Sequence, residues 1–122
     1  MKKDLTFKKL REVNTKRCEE SFHPIKSWSE EAWACALAGE VGEFCNFIKK
    51  RKRVYDNIRL DVASHKKAVA KLAKLHAECK KEIADVLTYL DLISTAMNIS
   101  LEEAVIEKFN EVSIRVGSKR KL

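Results

Sequence analysis

The sequence predicts an all-α protein, a bundle of four to five helices. Three observations carry that expectation. The 122 residues include Gly 3 and Pro 1, too few for the turns of a hairpin sheet. Apolar residues recur at helical spacing through long uninterrupted stretches. Serines followed by glutamates open two of those stretches, as helix starts require.

Residues 4–22, "DLTFKKLREVNTKRCEESF", carry Leu5, Leu10 and Val13 near helical spacing and predict a first helix. "HPIKSWS" ends it, because Pro24 lacks an amide hydrogen and disfavours helical geometry at His23. Ser29 then serves as N-cap, with Glu30 and Glu31 at the positive end of the helix dipole. That second helix is expected from 30 to 51, and the basic cluster Lys49, Lys50, Arg51, Lys52 and Arg53 suits its negative end. "VYDNIRL" reads as a connection. A third helix is expected to start between Asp61 and Ser64 and to reach Met97, either unbroken or with one break near Lys80. "NIS" is a short turn. Ser100 to Glu103 form a capping box for a fourth helix reaching about Val116, and Gly117 is placed to stop it. The tail "SKRKL" is expected to fray.

The length suits a single domain spanning 1–122. A net charge of +7 points to an anionic partner without choosing one. Cys18, Cys35, Cys45 and Cys79 form no C-x-x-C spacing, so reduced cysteines packed as small apolar residues in a cytoplasmic protein are expected. The basic N-terminus lacks the apolar run of a signal peptide. No stretch approaches the ~20 apolar residues that span a bilayer, so no membrane partner is expected.

Chemistry enters with two acid pairs. Glu40 and Glu43 stand three apart in "LAGEVGEF", about 60° apart on one helix face. Trp33 and Phe47 fall near the same line. Glu82 and Asp85 repeat the spacing in "KKEIADVLTYL", with Tyr89 one turn beyond. One E-x-x-E is common on solvated helices. Two pairs, each inside an apolar run, leave no wide polar face on which the acids are merely solvated. If the helices pack, four carboxylates converge and repel or take up protons unless a divalent cation joins them. Oxygen ligands alone favour Mg²⁺, with Mn²⁺ as substitute, over zinc or copper. A carboxylate-bridged di-iron bundle needs E-x-x-H on two helices, and neither pair has the histidine.

These residues resemble the MazG-like, all-α nucleoside triphosphate pyrophosphohydrolases of the small stand-alone type. The motif is E-x-x-E followed by E-x-x-D on the next major helix, here Glu40, Glu43, Glu82 and Asp85. "LAGEVGEFCNFIKK", "EIADVLTYLDL" and "ISLEEAVIEKFNEVSIRVGS" extend the likeness over roughly residues 18–53 and 78–118. The resemblance implies an oligomeric bundle, a homodimer or dimer of dimers, that hydrolyses (deoxy)nucleoside triphosphates to monophosphate and pyrophosphate in nucleotide-pool house-cleaning. It implies that the four acids hold Mg²⁺, with Glu43 and Glu40 closest to the chemistry and Glu43 orienting or deprotonating the water. Lys49, Lys50 and Lys108 are candidates for phosphate, and Lys50 is better placed than Lys49 on the helical wheel. Tyr89 and Asn110 are candidates for substrate contact. His23, Trp28 and Trp33 are candidates for the base pocket, with a core role the simpler reading of Trp33.

The chain departs from the family in two places. The 38 residues between Glu43 and Glu82 are longer than the family leads one to expect. Val112 and Val116 stand where many relatives carry asparagine and tyrosine, so base selectivity does not transfer. The competing reading is a basic helical module that binds nucleic acid or regulates without turnover, resting on "KKRKR". No helix-turn-helix or RNA-binding signature supports it, and nucleic acid is not the expected partner. A scaffold without activity is disfavoured because all four acids are present.

Overall fold

The computed structural model describes residues 4–59 and 61–122. Among them are four α-helices, α1 (Phe7–Ser21), α2 (Glu30–Asp56), α3 (Val62–Ala96) and α4 (Leu101–Arg115), with a 3-10 turn at Ile25–Ser27 and no strand. The all-α expectation holds. The chain divides into two compact units: Met1–Trp33 with Leu90–Leu122, and Ala34–Tyr89.

The first unit contains α1, the 3-10 turn, the first turn of α2, the last turns of α3 and α4. Its core is small and partly polar: Cys18, Ile25, Trp33 and Leu92 are buried with Asn14, Asp91, Ser94 and Ser113. α1 packs against α4 and against the 3-10 turn. Local signals set the ends. Thr6 Oγ1 accepts the Lys9 amide, Ser29 Oγ accepts that of Ala32, and Ser100 Oγ accepts that of Glu103. The C-termini of α3 and α4 close the same way. Ile99 N–H donates to Ser94 O and Asn98 N–H to Thr95 O; Ser118 N–H donates to Ser113 O and Gly117 N–H to Ile114 O. Each closure needs a left-handed residue, Asn98 at φ 57° and Gly117 at φ 70°.

The second unit is a helical hairpin, α2 from Ala34 onward and α3 up to Tyr89. Its core includes Val54, Leu75 and Cys79. Two expectations change here. α2 runs five residues past Arg51, because Val54 is buried and Lys52 pairs with Asp56 one turn on. α3 is continuous through Lys80; the neighbouring Leu75 and Cys79 are buried one turn apart, so the helix gains from continuing. Asp61 Oδ1 accepts the Ser64 amide and caps its start.

The tail also differs from expectation. Leu122 N–H donates to Asn110 Oδ1 at 2.9 Å, and Asn110 Nδ2 donates to the Leu122 carbonyl at 3.1 Å. These paired bonds fasten the C-terminus to α4. Of the cysteines, Cys18 and Cys79 are buried, whereas Cys35 and Cys45 are exposed on α2. Burial pushes the Cys18 thiol up, so it is a poor nucleophile.

The two glycines of "LAGEVGEF" suggest close approach by another helix. A Cβ built at Gly39 or Gly42 meets nothing within 4 Å. Within this chain they are unfilled helix positions. Alanine at both is expected to raise stability by about 1 kcal/mol each, through the backbone entropy of the unfolded chain. Thermal melting of Gly39→Ala/Gly42→Ala checks this; a lower midpoint would show that a second copy packs on that face.

Candidate metal centre

Glu40 projects from α2 and Glu82 and Asp85 from α3, all within the hairpin unit. One carboxylate oxygen from each lies within 4.8 Å of the other two. Oxygens on opposite sides of one cation, bonded at about 2.1–2.4 Å, stand roughly 4.2–4.8 Å apart, so a single ion can reach all three. Glu40 and Glu82 are half-buried, and Asp85 is exposed. The E-x-x-D spacing places Glu82 and Asp85 one turn apart on the same side of α3, as the sequence indicates.

Glu43 lies one turn beyond Glu40 and is solvent-exposed. Its carboxyl interacts with those of both Glu40 and Glu82. It falls outside the tightest group of three and stands as a fourth acid at the edge.

The cluster is electrostatically frustrated without a cation. Burial pushes Glu82 above the ordinary glutamate range, and Glu43, Glu40 and Asp85 push it further. Burial raises Glu40 as well, followed by the charges of Glu43 and Asp85. Glu82 Oε2 is also closed off from solvent with no hydrogen-bond partner. An orphaned carboxylate oxygen is costly, and here it belongs to the group facing three other acids. Hard oxygen donors around an unsatisfied oxygen fit Mg²⁺ or Mn²⁺.

No family model, curated protein or solved structure matches this chain.

The remaining candidates are distributed unevenly. Lys49, Lys50 and Tyr89 share the hairpin unit with the acids. Lys49 and Lys50 are exposed, and Lys50 Nζ lies 4.9 Å from the Phe47 ring centroid. Tyr89 is half-buried and ends the unit. Lys108 and Asn110 belong to the other unit and are already engaged. Lys108 pairs with Glu111 at 2.6 Å, and Asn110 holds the C-terminus.

His23, Trp28 and Trp33 form one aromatic cluster in the first unit. His23 stacks on Trp28 with centroids 4.3 Å apart, and Trp33 lies 4.7 Å from Trp28 and 5.3 Å from His23. His23 Nδ1 lies 3.0 Å from the Pro24 carbonyl and 3.1 Å from Ser27 Oγ. Trp33 is 1% exposed and donates its indole N–H to the Ile25 carbonyl. It is a core residue in this conformation, and Trp28 alone of the two indoles offers an open face.

Sequence reasoning missed the buried polar cluster around Asp91. Asp91 Oδ2 accepts from Asn14 Nδ2 at 2.9 Å, and Oδ1 lies 3.8 Å from Arg11 Nε. Arg11 Nη2 donates to Ser94 Oγ at 3.1 Å and to the Ile99 carbonyl. The available signal was the lone acid inside the apolar run "TYLDLIS".

Proposed function

We propose that this protein is a Mg²⁺-dependent nucleoside triphosphate pyrophosphohydrolase. The observation that carries the reading is the unpartnered Glu82 Oε2 inside a convergence of carboxylates. Glu40, Glu82 and Asp85 hold the ion. When bound, Mg²⁺ neutralises triphosphate oxygens and makes a water more acidic. Glu43 orients that water and takes its proton, because its exposed carboxyl borders the cluster beside Glu40 and Glu82 and lies outside the group of three. Lys49 and Lys50, farther along α2, supply positive charge toward the phosphates.

Apolar exposure supports assembly into a homodimer or dimer of dimers. Val105, Ile106 and Phe109 on α4 and Val41, Ile48 and Ile83 on the hairpin are all exposed. No described helix is long and apolar enough to cross a membrane. The cytoplasmic assignment is consistent with free, partly exposed thiols.

A panel including dCTP, dUTP, dATP and damaged nucleotides, incubated with Mg²⁺, tests the reading. The expected products are pyrophosphate and nucleoside monophosphate, lost with chelator and restored by Mg²⁺ or Mn²⁺. Orthophosphate with nucleoside diphosphate would refute the cleavage position. No turnover of any nucleotide would refute the enzyme.

A further inference from the structure

The charge of this protein is concentrated at one place. Residues 49–74 hold ten lysines and arginines against two aspartates, a net charge of +8, whereas the whole chain carries +7. The remaining residues are close to neutral. The segment comprises the end of α2, the connection and the first turns of α3, so it forms the tip of the hairpin unit.

The sequence shows the run at 49–53, which alone reads as a solvated helix end. The fold adds the second half. Lys67, Lys71 and Lys74 follow the i, i+4, i+7 spacing and lie within about 60° of one another on α3, along roughly 10 Å of helix. Arg53 from α2 and Lys67 and Lys71 from α3 line one groove of about 370 Å³, together with Asn57 and Ser64. Among the described residues, Lys52 with Asp56 is the only ion pair in this segment. Arg53, Lys67 and Lys71 are exposed with no carboxylate at pairing distance among those residues. Such crowding opposes folding, because the like charges repel, and a bound polyanion would relieve it. Lys71 is eleven residues before Glu82, about 16 Å along α3, so the groove is separate from the acids.

We propose that the hairpin tip binds the phosphodiester backbone of nucleic acid, without sequence preference. Cations on both walls of a groove suit a rod of phosphates entering between them, with a phosphate for every 3.4 Å of each strand's rise on average. Asn57 and Ser64 add side-chain groups that hydrogen-bond phosphate or sugar. Tyr55, 53% exposed at the same tip, offers a stacking face to an unpaired base. An anionic membrane suits the tip less well. The exposed large apolar residues described at the tip are Tyr55, Val62 and Val69, without the Trp, Phe or Leu face that buries an interfacial helix. This inference stands whether or not the chain hydrolyses nucleotides.

Fluorescence anisotropy with labelled single strands and duplexes of about 20 nucleotides, at about 50 to 200 mM salt, tests it. Binding is expected to weaken steeply with salt. Arg53→Glu/Lys67→Glu/Lys71→Glu is expected to weaken it at least ~10-fold and to flatten the salt slope by about 2–3. Lys8→Glu/Lys9→Glu/Lys16→Glu on α1 makes the same change in net charge and is expected to weaken it far less. Circular dichroism confirms that both triples keep their helix content; if the tip triple loses it, the single variant Lys71→Glu replaces it, with a smaller loss expected. No binding at the lowest salt overturns the proposal. Equal losses in the two triples overturn the groove in favour of bulk charge. Binding to phosphatidylserine vesicles and not to nucleic acid overturns it in favour of a membrane surface.

Discussion

Replacing Glu82 with glutamine is expected to lower pyrophosphate release on the order of 100-fold while raising the melting temperature of the metal-free protein. The two effects share one cause. Glutamine keeps the shape and one carbonyl oxygen but removes a charge that would hold the proposed ion, and weakening the electrostatic stabilisation that an ion supplies to reacting phosphates costs about 10²–10³ in rate. The same charge disfavours the metal-free fold. Burial and three neighbouring acids hold Glu82 above the ordinary value of 4.5, and burial raises Glu40 too. In the window between the ordinary value and the raised ones, the native state binds more protons than the unfolded state. Metal-free stability therefore falls as pH rises through that window and stays reduced above it. Glu82→Gln removes one of these groups, so its melting temperature should exceed that of the parent at pH 8 and converge with it near pH 4. Mg²⁺ should raise the parent's midpoint at pH 8 and do little near pH 4, where protons compete for the same oxygens. A variant that is less stable than the parent at pH 8 without metal would show that Glu82 is paired rather than frustrated.

This prediction was largely legible in the sequence, because the acids are local pairs on helices. A three-residue spacing fixes which side of a helix both carboxylates occupy, whatever the tertiary packing. The caps at Ser29 and Ser100 and the stop at Gly117 were legible for the same reason. What local signals do not carry is burial. α2 continues past Arg51 because Val54 enters a core, and α3 passes Lys80 because Leu75 and Cys79 do. Neither fact follows from propensity. The C-terminal tail looked free because its polar residues have no pattern; the Asn110 amide that fastens it is a single side chain twelve residues away. Gly39 and Gly42 misled in the opposite sense, since small residues signal close packing only when something lies opposite them. The basic groove was half visible: the run at 49–53 is contiguous, whereas Lys67 and Lys71 join it through the turn of the hairpin.

Asp91 is the hardest residue to find in the sequence and the one with the largest expected effect on stability. It is 1% exposed, near the end of a helix that is otherwise apolar around it. A carboxylate in that position is tolerated because Asn14 and Arg11 reach it from α1. The same guanidinium donates to Ser94 Oγ and to the Ile99 carbonyl, so Arg11 ties α1 to the closing turn of α3. Arg11→Ala therefore removes three contacts and leaves a buried charge with Asn14 as its remaining partner of the two. The expected cost is about 3 kcal/mol, the range measured when one member of a buried ion pair is deleted. Asp91→Asn keeps the volume and removes the charge that Arg11 offsets. If the charge accounts for most of the cost, the double variant Arg11→Ala/Asp91→Asn should be more stable than Arg11→Ala alone, by at least about 1 kcal/mol of coupling. Urea denaturation with unchanged m-values measures each corner of this cycle. Simple additivity would mean that Arg11 acts through Ser94 and Ile99 and that the 3.8 Å approach to Asp91 contributes nothing. Coupling of the expected size would instead make the Asn14–Asp91–Arg11 cluster the polar pin of the first unit, in a core with few apolar side chains to hold it.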